Sequence, residues 1–347
     1  MFNYFIYAQY NNMKDYFLLI YGVLFLFNII NVSSYNESLL IKDILWYFFS
    51  LVLYFVLLRI NKKYIYKSIN ILYILCNGLL LYLLLFGNSI NGTKAWIDFK
   101  LFMFQPSELM KVVLIFMLCL NINTKSIFLF LLTLIPSILT ILEPDTGNVI
   151  FYILEFFIVM LYKNKKEVKR LLYIGLFLVL LFLIVYFANK SLLVNLFGSN
   201  IVYRLDRLTN IFDNYQINKA LLAIGCSGLF GKYIVKIPEG STDFAFASLI
   251  ENTGLFGSLI FLLIYNVYFL LVYKKIEQKI SYEKVICSIF LVITFVQVYI
   301  HILMNIGLFP ITGIPLPLLS YGGTNTLLFV AFNAFIFNNK DYSLDNT

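Results

Sequence analysis

Charge is scarce in this chain, and so are the residues from which small disulfide or metal domains are built. Of 347 residues, 13% are charged, one is histidine, four are cysteine and seven are proline. Soluble domains carry about a quarter charged residues, so an ordinary soluble fold is excluded. Cys76, Cys119 and Cys287 fall in apolar runs and Cys226 in a polar loop, with no Cys-x-x-Cys pair and no His/Cys cluster. Neither a disulfide framework nor a metal site is signalled. No internal repeat is apparent, which gives an inverted-repeat transporter little support. Residues 1–15 are polar and aromatic without a small-residue cleavage site, so no cleavable signal peptide is expected. The net charge of +8 could point to nucleic acid, but its distribution argues against that partner.

What is present is apolar: 61% of the residues are hydrophobic. A spanning helix needs about 20 mostly apolar residues. Ten such spans are predicted, near 16–33, 43–60, 68–87, 104–121, 126–143, 147–162, 170–187, 244–273, 284–306 and 320–337. Lys and Arg mark cytoplasmic loops. With the N-terminus inside, the inner loops carry Arg59, Lys62, Lys63 and Lys67, then Lys125, then Lys163, Lys165, Lys166, Lys169 and Arg170, then Lys274, Lys275, Lys279 and Lys284. The short outer loops carry only Lys42, Lys94 and Lys100. The expected fold is therefore an all-α polytopic membrane protein, one membrane-embedded domain over 1–347 with both termini cytoplasmic. A long polar loop, about 188–243, lies outside together with the segments around Trp96, Asp145 and Pro315.

That loop is the only place where Arg, Asp, Glu, Pro and Gly gather over tens of residues, and loops of this length are usually functional or disordered. Arg204 and Arg207 flank Asp206; such residues could bind lipid phosphates or clamp a substrate pyrophosphate, for which the Arg fork is well shaped. Asp243 ends the loop just before Phe244-Ala245-Phe246-Ala247. A carboxylate beside apolar chain tends to a raised pKa, which suits a general base; a helix N-cap is the plainer reading. Glu251 lies two turns on, at membrane depth, where a Glu marks a site by default.

Earlier in the chain, Phe104-Gln105-Pro106-Ser107-Glu108-Leu109-Met110-Lys111 opens the fourth span. Pro, Ser and a carboxylate suit a helix first turn. Lys111 shares a face with Glu108 and lies a turn deeper, and a Lys at span centre costs about 2.5–3.5 kcal/mol on insertion scales. It reads either as a structural ion pair or as a cation held for an anionic group. Asp145, in Glu143-Pro144-Asp145-Thr146-Gly147, reads as an N-cap or as the rim of the same cavity. His301, the lone histidine, has no partner in sequence. Ile314-Pro315-Leu316-Pro317 and Ser320-Tyr321-Gly322-Gly323-Thr324 form an irregular outer loop, tolerated at membrane depth where it lines a cavity or is covered.

These segments, in this order, resemble the SEDS family of bacterial membrane proteins (RodA, FtsW and SpoVE type). The matches are Phe104-Gln105-Pro106-Ser107-Glu108-Leu109-x-Lys111, Pro144-Asp145-x-Gly147, Tyr203-Arg204-x-x-Arg207-Leu208-Thr209, Ala223-Ile224-Gly225-x-x-Gly228-Leu229-Phe230-Gly231, Pro238-Glu239-x-x-Thr242-Asp243-Phe244-x-Phe246-Ala247 and Gly313-Ile314-Pro315-Leu316-Pro317-x-x-Ser320-Tyr321-Gly322-Gly323. The resemblance implies a peptidoglycan glycosyltransferase in the bacterial plasma membrane that polymerises lipid II at the outer face, beside a class B penicillin-binding protein and among membrane lipids. It makes Asp243 the catalytic base toward the acceptor sugar's 4-hydroxyl. Glu108, Lys111, Arg204, Arg207, Asp145, Glu251, Ser320 and Tyr321 become the candidates for binding substrate and pyrophosphate, with a divalent cation (Mg or Mn) as an optional helper.

The chain departs from the family pattern at Ala95 before Trp96, at Lys219 and Ala220, at Ser241, at Asn252 beside Glu251, and at His301 in His301-Ile302-Leu303-Met304. These departures keep a scaffold role open, and polar residues within a bundle keep a lipid II flippase open. Retention of Asp243, Lys111 and Glu108 favours an active enzyme.

Overall fold

The computed structural model describes residues 2–35, 37–87, 94–99, 102–169, 215–232 and 235–340. The predicted seventh span, Arg204, Arg207 and most of the long polar loop lie outside the described residues. The described chain forms helices α1 (Phe2–Ser33), α2 (Glu37–Arg59), α3 (Lys62–Phe86), α4 (Pro106–Leu120), α5 (Ser126–Leu142), α6 (Thr146–Lys163), α7 (Tyr215–Ser227), α8 (Ala245–Glu277), α9 (Ser281–Asn305) and α10 (Gly323–Phe337). A short antiparallel pair, β1 (Ile97–Asp98) with β2 (Met103–Phe104), lies between α3 and α4.

Among the described residues, six helices are long and apolar enough to cross a membrane, and α5 and α10 are shorter apolar helices. The outward faces of α2 and α3 expose Ile44, Phe48, Phe55, Ile71, Ile74 and Leu85. A contiguous apolar surface of that kind is a liability in water and the ordinary solvent-facing surface in lipid. Helix α4 is the opposite case. Twelve of its fifteen residues are buried. A helix that is apolar all round belongs in the middle of a bundle, and α4 packs against α3, α5, α6, α9 and α10.

Helix α8 is two helices joined at Gly254, whose φ of 73° departs from the helix. The Leu255 and Phe256 amides, left without helical acceptors, donate to the carbonyls of Gly228 and Leu229 at 3.1 Å each. A Cβ on Gly254 would meet Leu229 O at 2.3 Å, and one on Gly231 would meet Asn252 O at 2.4 Å. The glycines of the Gly228-Leu229-Phe230-Gly231 motif thus allow one backbone to cap the break in another. At the end of the bundle assigned to the cytoplasm, Lys62, Lys279 and Glu283 form a buried cluster, with Glu283 Oε2 2.5 Å from Lys62 Nζ and 3.6 Å from Lys279 Nζ. It fastens the starts of α3 and α9 to the residues after α10, where Lys279 Nζ donates to Asn338 O at 2.7 Å.

Candidate active site

The described parts of the polar segments predicted to share one face are tied to one another by hydrogen bonds. Asp145 caps α6, and its Oδ2 accepts from Gln105 Nε2 (2.9 Å), Ser107 Oγ (2.6 Å) and Asn148 Nδ2 (2.9 Å). Its N-cap reading therefore holds, and the same side chain also ties the first turn of α4 to that of α6. Tyr152 Oη adds a bond to Ser107 O at 2.7 Å. The turn that carries Glu108 is fixed from below.

Glu108 and Lys111 form a buried ion pair of 2.7 Å. Lys111 Nζ also donates to Gln297 Oε1 at 3.3 Å and stands 5.0 Å from the centre of the Phe151 ring. Its charge is committed to the protein on several sides. A narrow cleft runs past the pair, walled by Thr294, Gln297 and Asn325 and by the apolar side chains of α9 and α10.

The other acidic centre is built differently. Residues 238–244 form consecutive turns after the described end of the polar loop. Phe244 N and Thr242 N both donate to Glu239 O, at 2.9 and 3.1 Å, and Glu239 holds a left-handed φ of 53°. A non-glycine residue in that region is strained, and such strain tends to sit at functional sites. Asp243 O accepts from Asn305 Nδ2 at 3.0 Å, while Asn305 Oδ1 accepts from Ala247 N at 2.8 Å. The backbone on both sides of the α8 start is thereby pinned. The Asp243 carboxylate is half-buried and accepts no hydrogen bond from a described residue. Burial, with a smaller contribution from the charge of Glu239, pushes its pKa up to about 6. An open cavity lies alongside, lined by Tyr35, Lys236, Ile237, Pro238, Glu239, Gly240 and Ser241.

The Lys111 cleft and the cavity beside the 238–244 turns share no lining residue, and Asp243 lines neither. They are joined by the loop between α9 and α10. Gln297 Nε2 donates to Pro315 O (2.8 Å), and His301 Nδ1 donates to Ile314 O (2.8 Å), which fixes the imidazole tautomer. Ser320 Oγ accepts from Leu316 N (2.9 Å) and donates to Thr242 O (2.6 Å), while Tyr321 N donates to Ser241 O (2.7 Å). Hydrogen bonds therefore run from Lys111 through Gln297 to one side of this loop, and from its other side to the residue before Asp243.

Ser320 and Tyr321 act in the structure as ties between loop and turn. Glu251, buried in α8, accepts from Val235 N at 2.6 Å and holds the strand of loop that leads to Asp243. Sequence reasoning missed Gln297 and Asn305. Their signal is spacing: Gln297, His301 and Asn305 recur every four residues, so one face of α9 presents two polar side chains to the loop and a third to the Asp243 turn.

Comparison with known proteins matches the chain to the FtsW, RodA and SpoVE family, described as cell cycle proteins, over residues 12–343. The chain belongs to this family. It is 30% identical over 282 residues to peptidoglycan glycosyltransferase MrdB of Escherichia coli strain K12, covering 75% of this chain and 74% of that one. It is 28% identical over 317 residues to the probable peptidoglycan glycosyltransferase FtsW of Buchnera aphidicola, with 83% and 86% covered. To stage V sporulation protein E of Bacillus subtilis it is 28% identical over 305 residues, with 79% of each covered. The crystal structure of RodA from Thermus thermophilus superposes with a TM-score of 0.69 at 22% identity, covering 93% of this chain and 97% of that chain. A chain from a peptidoglycan synthase complex, solved to show how polymerization and crosslinking are coordinated, superposes with a TM-score of 0.79 at 22% identity, covering 93% and 98%. This SEDS-family member is thus a multi-pass membrane protein with the RodA fold.

Proposed function

We propose that this family member polymerises lipid II into glycan strands at the outer membrane face, with Asp243 as the general base. The observation that carries the reading is an uncommitted carboxyl on a pinned turn. Its carbonyl is held by Asn305 and its neighbour Thr242 by Ser320, yet its own oxygens bond to no described residue. Rigid backbone with a free functional group is what a reacting side chain requires. With its pKa near 6 the group is ionised at neutral pH and basic enough to accept a proton from a sugar hydroxyl as it attacks the anomeric carbon of the donor.

The leaving diphosphate needs cations. Arg204 and Arg207 are proposed for that role. Lys111 could join only by trading Glu108 for a phosphate, an exchange of one anion for another that leaves its own charge paired. Among the described residues no three His, Cys, Asp or Glu side chains gather as a metal site. Glu239 and Asp243 would suit an ion that arrives on the diphosphate, since magnesium-class ions are held by one or two carboxylates and substrate phosphates. Such an ion would neutralise charge on the leaving group. The likeness to a chain of a polymerising and crosslinking complex supports a class B penicillin-binding protein as partner.

Full-length protein in nanodiscs, given lipid II with and without that partner, tests the reading. The wild type is expected to form polymer, and Asp243→Asn to lose at least about 100-fold in rate. Polymer from the variant at the wild-type rate would remove Asp243 as base. No polymer from the wild type under either condition would remove the enzyme.

A further inference from the structure

Helices α1 and α2 enclose a second polar cluster that the proposed chemistry does not use. Tyr21 of α1 reaches across to Tyr47 O at 2.8 Å, and the ring of Tyr47 lies 4.4 Å from that of Phe25. Asn28 and Asn31, three apart, share one buried face of α1, and Asp43 and Tyr47, four apart, share one buried face of α2. All four are buried: Asn28 and Asn31 are 0% exposed, Asp43 is 1% and Tyr47 is 3%. The Asn28 side-chain amide reaches toward the Asp43 carboxylate as a weak donor, and Asp43 is within electrostatic reach of the Tyr21, Tyr47 and Tyr321 phenols.

Six polar atoms of this cluster have no hydrogen-bond partner among the described residues. They are Asn28 Oδ1, both amide atoms of Asn31, both carboxylate oxygens of Asp43 and Tyr47 Oη. Buried polar groups are nearly always satisfied, and this many unsatisfied in one place point to a ligand. Among the described residues no ion pair forms with Asp43; the facing groups are phenols and amides.

We propose that Asn28, Asn31, Asp43 and Tyr47 form a binding site for a monovalent metal cation of the sodium or potassium class. Five of the six unsatisfied atoms are hard oxygens, the ligands such ions take. Charge selects the valence. One carboxylate neutralises a single positive charge, whereas a divalent ion would leave a net charge in a low-dielectric site. Water alone would satisfy dipoles and leave the Asp43 charge uncompensated. A proton on Asp43 is the competing way to remove the charge, and it would leave the protein indifferent to sodium and potassium. The site sits behind the loop that holds the Asp243 turn: Asn28 Nδ2 donates to Leu319 O at 2.9 Å, one residue before Ser320. A bound ion would brace that loop.

The test is thermal unfolding of the full-length protein in nanodiscs as sodium or potassium chloride replaces N-methylglucamine chloride at constant ionic strength. A bound ion raises the melting temperature by mass action. The expected result is a rise to a plateau in the wild type and no cation-specific rise in Asp43→Asn. In Asn31→Ala, loss of one neutral ligand should move the midpoint to about tenfold higher cation concentration. An identical wild-type melting temperature in all three salts overturns the proposal, as does a full response in Asp43→Asn. If Asp43→Asn fails to fold, an unshifted midpoint in Asn31→Ala overturns it.

Discussion

Glu108 and Asp243 are both acids at the same end of one bundle, and the fold treats them oppositely. Glu108 is paired with Lys111 at 2.7 Å, and its helix turn is fixed by Asp145 and Tyr152. Asp243 sits on a turn that is equally well fixed, but its carboxylate is left without a described donor and its pKa is raised. The saturated acid ties its helix to its neighbours, while the unsaturated one leaves its oxygens open on a rigid turn. The difference also separates cost from benefit: the first contributes stability and the second costs it.

The largest effect should come from breaking the saturated side. Glu108→Gln leaves Lys111 buried without its counter-charge, and removal of one partner of a buried pair costs about 3–5 kcal/mol. Melting in detergent should show that loss, and Glu108→Gln with Lys111→Met should recover most of it. An equal loss in the double variant would mean that the cost does not come from the stranded Lys111 charge. Next is Asn305→Ala, which strips partners from Asp243 O and Ala247 N. A destabilisation of about 1–3 kcal/mol is expected, with a fall in polymerisation but no change in the pH at which activity halves. A moved pH midpoint would show that Asn305 acts on the carboxylate itself.

The pH profile sharpens the other side. Polymerisation should be half-maximal near pH 6 on its acid limb, where Asp243 gains its proton, and fall about tenfold per unit below it. A limb near pH 4 would place the reacting acid in an ordinary aqueous setting. The smallest effect is expected from Ser320→Ala, about 1 kcal/mol, because only one tie between loop and turn is removed. A complete loss of polymer there, without a matching loss of stability, would move Ser320 from tie to substrate contact.

Much of this was legible in the chain. Apolar runs and the Lys/Arg asymmetry give a multi-pass helical protein, and dispersed motifs give the family. Asp145 was readable as an N-cap because its position before Thr146-Gly147 has that chemistry. The break in α8 was not readable: glycine is common inside membrane helices, and only the approach of Gly228 and Gly231 from elsewhere makes Gly254 a joint. Gln297 and Asn305 were passed over because each alone looks like an isolated polar residue in an apolar span. Their meaning comes from the loop carbonyls they face. Asp43 was passed over in sequence, where it opens a predicted span, and only the fold shows that it is buried.

The most direct test of the contrast is the stability of Asp243→Asn against pH. Because the folded protein holds this carboxyl at about 6, above the unfolded value near 3.9, the ionised form is the one the fold disfavours. That cost is complete above about pH 6 and vanishes as the pH falls below about 4. The account predicts that Asp243→Asn, while inactive, melts above the wild type at pH 7.5 and level with it at pH 4. A variant that melts below the wild type at pH 7.5 would show that the carboxylate is bound into the structure, and would contradict the claim that it is held free for a substrate.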